Sequence, residues 1–431
     1  MKICGISSFS TISNAAILIC LGCPPRRDGD FILLNSPSGK WEARLTLEEY
    51  SLALEAAERA RAWINGDPTD YLEISAAVDN ALVETLKGSR DTKVVYTVPD
   101  LGSVNGSQQY RIVNPFWALD AYSSRVSAYL TDRVEVRDLC RYANAVVTHE
   151  PISPKFVSLA KVVRQCGVRV VVDLDDDVFS IPEDNPAALQ FHLSRHAIEE
   201  NLAAADVITV STPNLRDVVK RLVADANVRI IPNMINDGFL AYGYARVPKG
   251  GLRNDGLRRI LWAGSHTHAR DLAVVAPALA RVLARHKDVR FVLFGSERVP
   301  KALESVSGSV ELVDPVPYAS YPAVLLAIAP AFGIAPLEDN GFNRSKSAVK
   351  ILEYGALRVP SLASPVGEYP VVAQEGFPVR LVDPGEWEDA LESMILARPE
   401  DLVDLGEESR KWVLDHRTAA QVMPLIEEVF V

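Results

Sequence analysis

The sequence is short of the features that mark secreted, membrane-spanning and nucleic-acid-binding chains. Its five cysteines (4, 20, 23, 140 and 166) are few and odd in number. That argues against a disulfide framework and for a reducing compartment. Cys20 and Cys23 have the spacing of a metal or redox pair. No second pair lies at ligand distance, however, and Pro24-Pro25 follows at once, so two buried thiols are the simpler reading. No apolar run approaches the roughly eighteen residues of a membrane span. The longest early run, residues 15–21, contains Cys20 and is preceded by one basic residue, Lys2, which falls short of a secretory leader. A cytoplasmic protein is expected, with peripheral attachment to a membrane left open. Basic charge is scarce as well: 45 Lys and Arg stand against 56 Asp and Glu, a formal net charge of −11. Binding to phosphate backbones needs a basic face, so nucleic acid is not an expected partner. Internal repeats and low-complexity tracts are missing too.

What is present reads as an ordinary globular chain, 48% hydrophobic and 23% charged. At 431 residues it is too long for one core and fits two domains with an addition. From Lys93 onward, short β-branched runs alternate with segments of helical period. Strands are expected at 94–98, 145–148, 168–172, 207–210 and 229–233, and again at 259–262, 291–294, 310–313, 332–335 and 360–363. Residues 155–166 suit a helix with Phe156, Leu159, Val162 and Val163 on one face. A longer helix carries Leu272, Val275, Ala276, Leu279, Val282 and Leu283. Strand–helix alternation means parallel sheets covered by helices, an α/β fold. The Pro- and Gly-bearing stretch 243–256 reads as a linker. The expected domains are 93–245 and 256–412, with helix 413–431 returning to the first. Residues 1–92, with candidate strands at 2–6 and 31–34 and a helix at 47–64, are an addition of unassigned role or part of the first domain.

Parallel sheets bind ligands beyond the carboxyl ends of their strands, so the loops after strands matter most. In the loop 263–271, Gly264 and Ser265 let a ligand approach the start of a helix, whose N–H groups attract phosphate. Arg270 adds a cation. His266 and His268 lack partners at metal-ligand spacing. In the segment 336–356, Asn343 or Ser345 is the expected cap of a new helix, with Lys346 in its first turn. A cation there opposes the helix dipole, unless an anion such as a diphosphate lies between them. Glu353 follows two turns later on the same face. Alternatively, Lys346 and Lys350 form a solvated face with Glu353 as their partner; spacing alone leaves the two readings level. Asp173-Leu174-Asp175-Asp176-Asp177 invites a metal reading, against which stand an acceptor-side role and simple capping. His149 and Glu150, also after a strand, suit a general base or a group that positions an acceptor, or else a contact at a helix start.

The run Glu353-Tyr354-Gly355-Ala356-Leu357-Arg358-Val359-Pro360-Ser361-Leu362-Ala363-Ser364, with Pro365-Val366-Gly367-Glu368 and residues 374–379 after it, resembles the group 1, family 4-like retaining glycosyltransferases of the GT-B fold. Pro99 to Ser107, Tyr110-Arg111-Ile112 and Pro232-Asn233 resemble the first half of that fold. The likeness covers residues 93–420 and is stronger in the second half. It implies two Rossmann-like domains facing a cleft, with an acceptor side at 93–245 and a nucleotide-sugar side at 256–412. It also implies that Glu353 holds the ribose. Gly264, Ser265 and the amides near Asn343, Ser345 and Lys346 would hold the diphosphate, with Arg270 beside them. Gly295, Val316 and Tyr318 would flank the base. On the acceptor side it implies Gly106, Ser107 and Arg111, with His149 and Asp175 as the catalytic candidates, no cofactor and no metal. Three positions depart from the pattern. Ser345 stands where the first Glu belongs, which bears on the contacts to the transferred sugar and hence on retention. One cation, not two, remains in the first loop of the second domain, and Lys346 is expected to take over part of its work. Arg358 replaces the helix-ending Gly. The expected activity is transfer of a sugar from a nucleotide-sugar to a glycan, lipid-linked, protein or modified-base acceptor. The rivals are an epimerase or phosphorylase on the same fold, or a non-catalytic sugar-nucleotide-binding protein.

Overall fold

The computed structural model describes residues 26–28, 31–35, 42–46, 92–99, 104–132, 135–240, 255–265, 268–295, 299–318 and 320–431. The cysteines at 4, 20 and 23, the strand expected at 2–6, the helix at 47–64, the loop 100–103, nearly all of the linker and His266 lie outside these residues. An antiparallel three-stranded sheet comes first, made of β1 (Arg26–Asp28), β2 (Phe31–Asn35) and β3 (Glu42–Thr46).

Two parallel six-stranded sheets follow. The first contains β4 (Thr92–Thr97), β5 (Val126–Thr131), β6 (Ala145–His149), β7 (Arg169–Leu174), β8 (Val207–Val210) and β9 (Val228–Ile230), in the order β5-β4-β6-β7-β8-β9. The second contains β10 (Arg258–Ala263), β11 (Val289–Phe294), β12 (Val310–Val313), β13 (Phe332–Ala335), β14 (Ser361–Ala363) and β15 (Val379–Leu381), in the order β12-β11-β10-β13-β14-β15. Chain direction across the sheet reverses between β4 and β6 in the first and between β10 and β13 in the second. Those are the switch points at which open α/β sheets hold ligands.

The covering helices are α1 (Asn114–Tyr122), α2 (Val136–Tyr142), α3 (Phe156–Gln165), α4 (Ala188–Ala203) and α5 (Pro213–Leu222) in the first half. The second half has α6 (Ala269–Arg285), α7 (Tyr321–Ile328), α8 (Val349–Ala356), α9 (Tyr369–Gln374), α10 (Trp387–Leu396), α11 (Pro399–His416) and α12 (Ala419–Glu427). The strands read as runs of apolar residues because both of their faces are buried; Val94, Val172, Leu261, Val292 and Ile334 are fully enclosed. The α12 helix crosses back, and Ala419, Val422 and Ile426 join Val94, Tyr96 and Val147 in the first domain's core.

The structure corrects several expectations. Strands β5 and β15 were not anticipated. The inner face of α3 is Phe156, Ala160 and Val163, at spacings of four and three, while Leu159 and Val162 lie at the surface. Cys140 on α2 and Cys166 at the end of α3 form a disulfide, contrary to the expectation drawn from the cysteine count. Arg358 replaces the expected helix-ending Gly and takes the left-handed conformation that the glycine would have taken, at φ 61°. A side chain there costs about 1–2 kcal/mol.

Candidate active site

On the first domain, the chain after β4 enters a short helical turn, Gly106–Gln108. Asn105 caps it, and Gln108 returns a side-chain bond to the Asn105 amide. This fixes Ser107 at the cleft. A π-helical turn, Gln109–Val113, then directs Tyr110, Arg111 and Ile112 inward. Arg111 is only 2% exposed and grips both oxygens of Asp173, at 2.9 and 2.7 Å, and it also reaches Asn233 at 2.8 Å. It is therefore a buried strut beneath the site, not the acceptor-facing cation that the sequence suggested.

Asp173 also accepts from Thr209 and contacts His149 Nδ1 at 3.0 Å. Burial alone would raise the Asp173 pKa, but Arg111 and His149 outweigh it and bring the group down to about 2. The other ring nitrogen of His149 lies 3.2 Å from the Ser107 hydroxyl. Burial works against a charged His149, yet Glu150, Asp173 and Asp175 more than offset it and raise the imidazole to about 9. At neutral pH this histidine keeps its proton and carries a positive charge. Asp175 accepts from Ser107 and Asn233, each at 3.0 Å. Glu150 has φ 44°, a strained backbone of the kind found at functional sites.

On the second domain, residues Asn343–Ser345 form a single 3-10 turn and Lys346 is extended, with ψ 142°. The helix begins only at Val349. Lys346 thus lies before α8 and not in its first turn, and neither Asn343 nor Ser345 caps it. The Ala348 amide at the helix start donates to the Glu368 carboxylate at 2.7 Å, and Glu368 is held by Arg417 at 3.0 Å. The expected phosphate ligands have other partners. Asn343 is buried and bonded to Asp271 and the Glu338 carbonyl. Ser345 bonds to Thr212 and Asn214 of the first domain. Arg270 is exposed and is paired with Glu338 and, across the cleft, with Asp184. The Gly264 amide donates to the Phe294 carbonyl, and the Gly295 amide to that of Val313. His268 bonds to Asp271 at 2.8 Å; burial, the largest influence on it, lowers its pKa to about 4 and keeps it neutral. Among the described residues, no group of three or more His, Cys, Asp or Glu side chains is set to hold a metal ion.

The domains meet at named contacts. Lys346 Nζ lies 3.2 Å from Asp176 and 4.3 Å from the centre of the Phe342 ring. Glu353, 9% exposed, accepts from the Tyr110 hydroxyl of the first domain at 2.5 Å and from Tyr321 at 3.1 Å. Burial raises the Glu353 pKa to about 7, partly opposed by the two tyrosines and Lys350. Around it Tyr318 packs edge-on to Tyr110, and Phe294 stacks on Tyr321. Val316 packs against the same core. A cavity of about 240 Å³ opens between the domains. Ser107, Glu150, Asp176, Ile181, Phe191, His268 and Lys346 are among its lining. Sequence reasoning missed Tyr110 and Tyr321 as partners of Glu353, and Glu368 as the acceptor at α8; no local pattern joins positions so far apart in the chain.

With this geometry in place, residues 258–397 match the family model described as Glycosyl transferases group 1. The fold is shared with sucrose-phosphate synthase from Thermosynechococcus elongatus, at 14% identity and a TM-score of 0.55, over 78% of this chain and 98% of that one. It is also shared with Anabaena HepE, solved with UDP and glucose, at 10% identity and a TM-score of 0.56, over 78% and 99%. A trehalose-6-phosphate synthase studied for transfer with retention aligns at 12% identity and a TM-score of 0.52, over 78% and 98%. No curated protein matches the sequence at a significant level. Fold and matched segment point the same way: the chain has the GT-B fold of these glycosyltransferases. Its residues 258–397 form a group 1 glycosyltransferase domain.

Proposed function

We propose that the chain moves a sugar from a nucleotide-diphosphate-sugar to an acceptor bound in the cleft, with retention and without a metal ion. The observation that carries this reading is the meeting of the two switch points. The loops after β6 and β7 face those after β10 and β13 across one cavity, which Lys346 and Ser107 both line, and His149 lies 3.2 Å from the Ser107 hydroxyl. Domains at 93–245 and 256–412 with a returning helix at 413–431, and a cytoplasmic setting, belong to the same proposal.

In this reading Glu353 exchanges its tyrosine partners for ribose hydroxyls, and Lys346 exchanges Asp176 for the diphosphate. As the bond from the anomeric carbon to the phosphate oxygen breaks, the acceptor oxygen bonds to that carbon, its proton passes to the departing phosphate, and fixed positive charge stabilises the nucleoside diphosphate. His149, held protonated by Glu150, Asp173 and Asp175, donates a hydrogen bond on the acceptor side, and Asp175 orients Ser107. The retention studied for the trehalose-6-phosphate synthase of like fold supports the stereochemical part. A non-catalytic binding protein is the second reading.

A thermal-shift screen of UDP, GDP and ADP and their sugars tests the proposal, since selective binding stabilises the native state. It is joined to mass spectrometry of products formed with sugar, glycan and lipid-linked acceptors. Stabilisation by one nucleotide series together with a transferred sugar supports it. No stabilisation by any nucleotide refutes it, and stabilisation without turnover favours the non-catalytic reading.

A further inference from the structure

We propose that Lys350, on α8, is the cation that grips the donor's diphosphate at the end of β10. The proposal rests on the donor reading above and names the group that does its electrostatic work.

The argument begins with the other cations. Arg270, the one cation in the loop after β10, is spent on Glu338 and Asp184, and Lys346 faces Asp176. Lys350 differs from both. Its ammonium lies 4.8 Å from the centre of the Trp262 ring. It sits close to Gly264, where a Cβ would fall 3.3 Å from the Nζ. Among the described residues it makes neither an ion pair nor a hydrogen bond. The nearby carboxylates are engaged elsewhere: Asp271 with His268, Asn343 and the Glu338 amide, and Glu353 with two tyrosines.

A charge withdrawn from water without a counter-charge is costly. Burial pushes the Lys350 pKa down to about 8; Lys346 lowers it further, while Asp271 and Glu353 oppose the shift. An anion arriving beside it would restore the charge. The place suits a diphosphate, because Gly264 follows β10 at the switch point between β10 and β13, where open α/β sheets hold ligands. The Trp262 ring covers one side of the ammonium, and Lys346 and Asp271, whose charges act on it, line the cavity. Lys350 comes from the helix that also carries Glu353, three residues on. The two would hold the diphosphate and ribose of one nucleotide from adjacent points of a single helix face.

The test compares binding of UDP, GDP and ADP, and of the matching nucleosides, to the parent, Lys350→Met and Lys350→Arg by calorimetry. Lys350→Met keeps the apolar stem and removes the charge. It is expected to weaken the bound nucleoside diphosphate about ten- to a hundredfold and to leave the nucleoside unchanged. Lys350→Arg is expected to retain most of the affinity. Equal binding of the diphosphate by the parent and Lys350→Met, or equal loss of diphosphate and nucleoside, overturns the assignment while the donor reading stands. A parent that binds no nucleoside diphosphate overturns both. Should Lys350→Met melt early, the parent titrated between pH 7 and 9 decides. Diphosphate affinity must fall as the ammonium loses its proton while nucleoside affinity holds, and a flat ratio refutes the role.

Discussion

Replacing Glu353 with glutamine should change how stability depends on pH, and the size of the change follows from its surroundings. The carboxyl has a pKa of about 7 in the fold against an ordinary 4.5. Each pH unit of difference is worth 1.36 kcal/mol, which gives about 3 kcal/mol. Because the folded value is raised, the fold favours the protonated form. That contribution is complete below about pH 4.5 and is lost as the pH rises through about 7. Glutamine does not titrate, so the parent should lose roughly 3 kcal/mol relative to the variant between pH 4.5 and 8. A second effect opposes the variant at every pH. Tyr110 and Tyr321 both donate to Glu353, and an amide has one acceptor oxygen to offer them. One buried hydroxyl then faces an NH₂ group, at a cost of about 1–3 kcal/mol. The variant should therefore be clearly weaker at pH 5 and close to the parent at pH 8. Urea midpoints of the two proteins at pH 5, 6.5 and 8 measure this, and other titrating groups cancel in the difference. A constant gap across the three pH values would show that Glu353 is ionised throughout and that burial is not governing it.

Three further outcomes are expected. Lys346→Ala should weaken nucleoside diphosphate binding more than nucleoside binding, measured by calorimetry; equal effects would place Lys346 on the domain interface alone. Arg111→Met leaves Asp173 buried beside His149 without its bidentate partner, so it should cost about 3–5 kcal/mol in denaturant unfolding; a loss below 1 kcal/mol would contradict the strut. Turnover should survive EDTA, and a loss restored by manganese or magnesium would give the cluster Asp173 to Asp177 a catalytic ion.

The parallel sheets were legible because a doubly covered strand must be apolar on both faces, and runs such as residues 207–210 and 332–335 have few other uses. Strands β5 and β15 were harder. Val126–Thr131 mixes Ser, Tyr and Thr with its apolar residues, and Val379–Leu381 is three residues long with Arg380 at its centre. The site was legible as a set of loops and not as a set of contacts. A cation after a strand looks free in the sequence, but Arg270 finds Glu338 68 positions away and Lys346 finds Asp176 170 positions away. The helix start was misplaced for the same reason, since Glu368 acts on the Ala348 amide from twenty residues further along. Lys350 was hidden by the opposite error. Charged residues on a helix normally face water, but α8 is enclosed from Ile351 to Ala356, and its one lysine is half-buried against the Trp262 ring.

Partner exchange therefore governs what a donor can gain from this cleft. Under the proposed donor reading, Asp176 holds Lys346 where a phosphate would, the Tyr110 hydroxyl holds Glu353 where a ribose hydroxyl would, and Glu368 holds the first amide of α8. Swapping one hydrogen-bonded partner for another yields little net free energy, about 0.5–1.5 kcal/mol for a typical bond. Two of these contacts, Tyr110–Glu353 and Asp176–Lys346, also span the domains, so a ligand that takes them over removes links between the two halves. Lys350 stands apart, because nothing has to leave it when an anion arrives. Affinity for the diphosphate should accordingly come more from the Lys350 ammonium, which has no ion pair among the described residues, than from the three positions already satisfied.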